Sequence, residues 1–192
     1  MRHQVFRTGN KSTAAGSSSR PGRLVWLWLM VIFVGIQFGA GLYEKQAIVP
    51  LWADVAPHQV LEAMRSSGMW TAGRAFWPFV SPVVAVLAVV NLVVARRSPA
   101  VYRGWWLAGA AFMVAYAVFS HSYFVPRMLM LQSSDGAWPA ARVESTVAWW
   151  TGLNYLRMVI GAAGWLCALR ALSLSASAGT AVAARGGTGT DD

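Results

Sequence analysis

Four apolar stretches dominate the pattern of the chain, at about 24–43, 76–95, 105–124 and 147–172. Each is long enough to cross a hydrocarbon core of ~30 Å, which takes about 20 helical residues. Lipid offers the backbone no water, so every amide must be satisfied within its own segment, and helices are the expected solution. The pattern therefore predicts an all-α fold, a polytopic membrane four-helix bundle. Pro78 and Pro82 fall near the expected start of the second span, where missing amide donors cost least. Between the first two spans, "YEKQAIVPLWADVAPHQVLEAMRSSGMW" reads as a helical extension stopped near Pro50, a connector, and a short amphipathic helix after Pro57. That outer loop is expected to lie over the mouth of the bundle.

Composition agrees with the pattern: 56% of residues are hydrophobic, 12% are charged and 11 are tryptophan, outside the range of soluble domains. Residues 1–23 are basic and rich in Ser, Gly and Thr, and residues 173–192 are Ala, Gly, Ser and Thr with little to bury, so both are expected to be disordered cytoplasmic tails flanking a domain at 24–172. The first apolar run is too long for a signal peptide's core and lacks a cleavage site, so it is expected to stay in the mature chain. Lys and Arg in the two tails and in the link between spans two and three number ten, against five in the other two loops. The positive-inside rule then puts a multi-pass protein in the cell membrane with both termini cytoplasmic. The net charge of +9 is accounted for by this topology and by anionic membrane lipid. Without a folded basic module outside the membrane, no nucleic-acid partner is expected. Cys167 is the one cysteine and His121 the one histidine within a span, so neither a disulfide, a metal site nor a cofactor is expected.

The polar residues inside the spans carry the candidate chemistry. Span four enters at Trp149 and Trp150, and Arg157 lies about 12 Å deeper at ~1.5 Å per residue. Asn154 precedes Arg157 by one turn and shares its face. His121 near the end of span three, and Gln37 and Glu44 on one stripe of span one, fall at comparable levels. A buried Arg costs at least ~2.5 kcal/mol on insertion scales, so it should face the bundle with a partner, and Glu44 is the nearest candidate. Two readings follow: Arg157 is a register lock tied to Glu44, or Arg157 and Asn154 line a cavity as donors to a substrate's oxygens while His121 moves a proton. Trp52, Trp77, Tyr123 and Trp150 are candidate substrate contacts, although an interfacial aromatic belt also explains the tryptophans. The GxxxG at Gly35 and Gly39 suits close helix packing, including that of a homo-oligomer.

"GAGLYEKQAIVPLWADVAP", "FWPFVSPVV", "SHSYFVPRMLML" and "WWTGLNYLRMVIGAAG" together resemble the DUF1772 group, the anthrone-oxygenase-like four-helix membrane proteins. The likeness covers residues 24–172 and includes Pro50, Pro126 and a W…N…R signature at Trp150, Asn154 and Arg157. One departure is Arg127 followed by Met128, where many relatives carry Asn or an acidic residue. The resemblance implies a cofactor-independent oxygenase acting on a lipophilic aromatic or polyketide-like molecule of secondary metabolism. Two alternatives stay open. One is a membrane-embedded terpene cyclase or isomerase in which Glu44 protonates an alkene and tryptophan faces stabilise the cation. The other is a non-catalytic scaffold or accessory subunit.

Overall fold

The computed structural model describes residues 21–186. Ten helical segments follow one another: α1 (Pro21–Tyr43), a π-helical turn (Glu44–Ile48), α2 (Val49–Ala53), a 3₁₀ turn (Pro57–Gln59), α3 (Val60–Ser66), α4 (Met69–Ala95), α5 (Ala100–Phe119), a second π-helical turn (Ser120–Phe124), α6 (Val125–Gln132) and α7 (Ala140–Gly186). Four continuous rods long and apolar enough to cross a membrane result: Gly22–Ala53, Met69–Ala95, Ala100–Gln132 and Ala140–Thr180. They form a ring in which α1 and α5 each pack between α4 and α7. The outward faces carry Ile32, Phe79, Val86, Val118 and Val159, all exposed, as lipid-facing surfaces do.

The rods outrun the apolar stretches. The first has 32 residues and the third 33, or about 50 Å at 1.5 Å per residue, against a hydrocarbon core of ~30 Å. Neither Pro50 nor Pro126 stops its helix. Each is preceded by five residues of π-helix and a valine, in "EKQAIVP" and "SHSYFVP". The Val49 amide donates to the Glu44 carbonyl and the Val125 amide to the Ser120 carbonyl, bonds that skip one residue more than an α-helix does. Proline lacks an amide and its ring crowds the carbonyl four residues back, and the wider turn absorbs both defects without ending the rod.

Three further boundaries differ from the sequence reading. α4 begins at Met69, so Pro78 and Pro82 sit well inside it and leave the Arg74 and Pro78 carbonyls without their i+4 donors. α7 starts at Ala140 and continues past residue 172 to Gly186. The outer loop holds the expected short helix, α3, which is followed by a turn at Gly68; its φ of +76° suits a residue without a Cβ.

Two buried clusters fill the ring. The first, towards the Arg23 end, contains Leu27, Met30, Val34, Val84, Ala88, Trp106, Met113 and Ala171. The second, at the capped end, joins Val49, Trp52, Val60, Met64, Phe124, Leu131, Val147 and Trp150, so α2, α3 and α6 pack there as one layer. Beside the first cluster Asn91, 0% exposed, donates to the carbonyls of Trp26 (3.0 Å) and Leu87 (2.8 Å) and accepts from the Trp106 indole (2.8 Å). This amide ties three rods together with every partner supplied. Close approach of α5 and α7 rests on Gly109, where an added Cβ would lie 3.0 Å from the Gly164 carbonyl and the Ala168 amide nitrogen.

Candidate functional site

Between the two clusters runs a band of polar side chains, and a cavity of about 300 Å³ opens there. Its walls come from all four rods: Glu44 from the first π-turn, Trp70, Arg74 and Trp77 from α4, Tyr116 and His121 from the third rod, and Trp150 and Arg157 from α7. Most of the lining belongs to the facing stretches 69–82 and 116–132, so the cavity is a cleft between α4 and the α5–α6 rod. Exposed Val125 and Leu129 stand at its edge. Arginines 23, 96, 97, 103 and 170 mark one boundary of the membrane layer. A depth of ~30 Å from them reaches the other boundary near Glu44, Trp77, Tyr123 and Trp150, so the cleft lies at that boundary with Arg157 beneath it.

The charged groups are held by neutral partners. The Trp77 indole donates to Glu44 Oε2 at 2.7 Å. Arg157 Nε donates to Asn154 Oδ1 at 3.0 Å, and the guanidinium carbon stands 4.5 Å from the Phe124 ring centre and 5.6 Å from that of Tyr116. Trp150, Asn154 and Arg157 follow one another at helical spacing, with Asn154 buried to 2% exposure. The expected Glu44–Arg157 ion pair does not form. Among the described residues the ion pairs within 4.0 Å are those of Arg65 with Glu62 and Asp135, on the surface of the cap. Glu44 and Arg157 thus border one cavity and keep hydrogen-bonding capacity unspent on each other, because an indole and an amide satisfy part of each.

His121 Nδ1 lies 2.8 Å from the Ala117 carbonyl. A carbonyl only accepts, so Nδ1 carries the proton and Nε2 is left as the basic nitrogen of the neutral ring. The second π-turn places this histidine: it begins at Ser120, and both residues line the cavity. The Ser120 hydroxyl and the Trp150 indole N–H are buried and have no hydrogen-bond partner among the described residues.

Of the candidate residues, Glu44, Trp77, His121, Trp150 and Arg157 line the cavity, and Asn154 supports Arg157 from behind. Gln37, Trp52 and Tyr123 do not. Gln37 is buried at 2% exposure, seven residues before Glu44 and about 10 Å below it. Trp52 is fully buried against Trp150, ring centres 5.6 Å apart, because α2 folds it into the cap core. Tyr123 stacks on Phe119 and carries the Arg127 guanidinium 5.8 Å over its ring. Sequence reasoning missed Tyr116 and Ser120, whose signal was their i, i+4 spacing on the way to Phe124, and Arg74, which it counted as a loop residue. The two glycines of the GxxxG differ in their surroundings: a Cβ added at Gly35 would meet the Trp165 ring of the same chain at 3.3 Å, while Gly39 has open space around it. In comparisons with known proteins, no family model matches the chain, and neither does any curated protein or solved structure. The likeness to the anthrone-oxygenase-like group therefore rests on its motifs alone.

Proposed function

We propose that this multi-pass protein, with both termini cytoplasmic, is an intramembrane enzyme that draws a lipophilic aromatic or polyketide-like molecule from the bilayer into the α4–α6 cleft and oxygenates it without a cofactor. The observation that carries the reading is that Glu44 and Arg157 share one cavity without pairing. A register lock would spend the two charges on each other, since an isolated buried charge is costly. Here the guanidinium keeps donors for a guest.

In this scheme His121 Nε2 takes a proton from a CH₂ group beside a substrate carbonyl, and Arg157 donates to the enolate oxygen that develops. The carbanion adds to dioxygen, which is itself soluble in lipid, and takes back one proton to give a hydroperoxide. Loss of water leaves a new carbonyl, so CH₂ and O₂ become C=O and H₂O. Trp70, Trp77 and Trp150 add apolar wall to the cavity, which strengthens the donor–enolate interaction by lowering the local dielectric.

A second reading is favoured by a specific contact. Trp77 orients Glu44 and lines the same cavity, an arrangement suited to protonating a prenylated substrate beside an aromatic ring. Metabolite profiling of the native host separates the readings. The gene is deleted, then complemented with wild type or Arg157→Leu at matched membrane abundance, under ¹⁸O₂. An oxygenase makes a lipophilic precursor accumulate in the deletion strain, and only wild type converts it, with one ¹⁸O retained. Conversion without ¹⁸O selects the cyclase. Full complementation by Arg157→Leu would sink the oxygenase, and no change in any metabolite would sink both and leave a scaffold.

A further inference from the structure

A second opening, of about 670 Å³, lies on the opposite side of the first π-turn, between the first rod and the capped half of α7. Consecutive residues divide between the two: Glu44 and Trp150 line the cleft already described, whereas Lys45 and Thr151 line this groove. Lys45 is the unexpected member. Sequence reasoning counted it only among the cations of the outer loop, yet only 8% of it is exposed. Its Nζ donates to the Thr151 carbonyl at 3.3 Å and stands 4.4 Å from the centre of the Tyr155 ring. An ammonium has three donors, and one protein acceptor leaves the others to something in the groove.

The remaining charges on the wall are Asp54 and Glu144, both exposed and neither in an ion pair within 4.0 Å among the described residues. Their order along the membrane normal is informative. Lys45 contacts α7 at Thr151 and Tyr155, while Glu144 lies seven residues towards the cap, about 10 Å further out. Asp54 likewise follows the end of α2, beyond Lys45. The groove is thus cationic at depth and anionic at its rim. A zwitterionic phospholipid head group has the opposite polarity in the same direction, with phosphate at depth and an ammonium outermost. Below the groove, Tyr155, Val159 and Leu166 form an exposed apolar ladder at helical spacing, a track for an acyl chain.

We infer that this groove is a binding site for a phospholipid with an ethanolamine head group, its phosphate on Lys45 and its ammonium between Asp54 and Glu144. A choline head group presents the same charge but has no N–H to donate, so the two carboxylates select against it. A glycerol head group keeps the phosphate and offers no cation.

Native mass spectrometry of the full chain in detergent, titrated with phosphatidylethanolamine, phosphatidylcholine or phosphatidylglycerol of identical acyl chains, tests the assignment. Wild type should retain the ethanolamine lipid roughly tenfold more tightly than either of the others, the scale of one charge-assisted hydrogen bond. Combined Asp54→Asn and Glu144→Gln should erase that preference while phosphatidylglycerol still binds. Lys45→Met should weaken all three. Because Lys45 is buried and its variant can misfold, the exposed carboxylate pair is the deciding arm. Equal retention of the three lipids by wild type, or a preference that survives in the carboxylate variant, overturns the inference. Water-soluble glycerophosphoethanolamine is the last arm: binding as tight as that of the intact lipid would overturn a lipid occupant.

Discussion

Arg157 and Asn91 are both polar groups placed where lipid-facing rods meet, and their surroundings assign them different duties. Asn91 has all its hydrogen bonds supplied by Trp26, Leu87 and Trp106. Arg157 has one side-chain acceptor, Asn154, and an adjoining cavity. Asn91→Leu should therefore lower unfolding free energy in micelles by roughly 1–3 kcal/mol, through the stranded Trp106 N–H. Denaturant or steric-trap titration reads that loss. Arg157→Leu should insert and fold yet cut conversion of the native metabolite by about 100-fold or more, the scale of one lost oxyanion donor. Adding Glu44→Gln should not restore it, whereas a mere lock would be relieved by removing both charges. Glu44, His121 and Arg157 could be singled out from the chain because titratable groups inside apolar runs are costly enough to demand a reason. The same rule applied to Asn91 would have found the lock. Tyr116 and Ser120 gave no such signal, since a tyrosine or serine in a span is cheap, and Trp52 read as an outer-loop ligand contact because its helix was expected to end near Pro50.

At the scale of elements, the apolar runs located every rod but not its ends. Beyond the hydrocarbon boundary the helices are continued by cap packing, which ordinary mixed sequence supports and hydropathy does not register. The π-turns were also hidden, because "VP" reads as a stop. They bring Glu44 and Ser120–His121 to the same cleft, so under the proposed function their integrity should matter more for activity than for stability. Pro126→Ala removes the cause of the second π-turn and should let an α-helix re-form, rotating His121 out of phase. Its expected outcome is an activity loss of about tenfold or more with little change in melting temperature. A contrasting pair tests the packing. Gly109→Ala should destabilise by roughly 1–3 kcal/mol through its clash with α7, whereas Gly39→Ala, with nothing within 4 Å, should be near neutral. Both are read by thermal denaturation in detergent.

For the whole molecule, four crossings and the arginine-rich end define its posture in the bilayer. With both ends proposed to face the cytoplasm, fluorescent-protein fusions at either terminus should fluoresce and alkaline phosphatase fusions should be inactive. Phosphatase activity at either end would reverse the bundle and carry the cleft to the opposite face. The separation of the core into a basal cluster and a cap cluster, with the polar band between them, also has a bearing on where substitutions act. Asn91, Trp106 and Gly109, which hold the rods together, lie in the basal half, while Trp70, Trp77, His121 and Trp150 line the cavity at or above the band. Under the proposed function, substitutions at Trp70, Trp77 or His121 should alter which molecule is accepted while leaving the packing of the basal cluster untouched. On that reading, recognition and membrane assembly are divided between the two ends of one bundle.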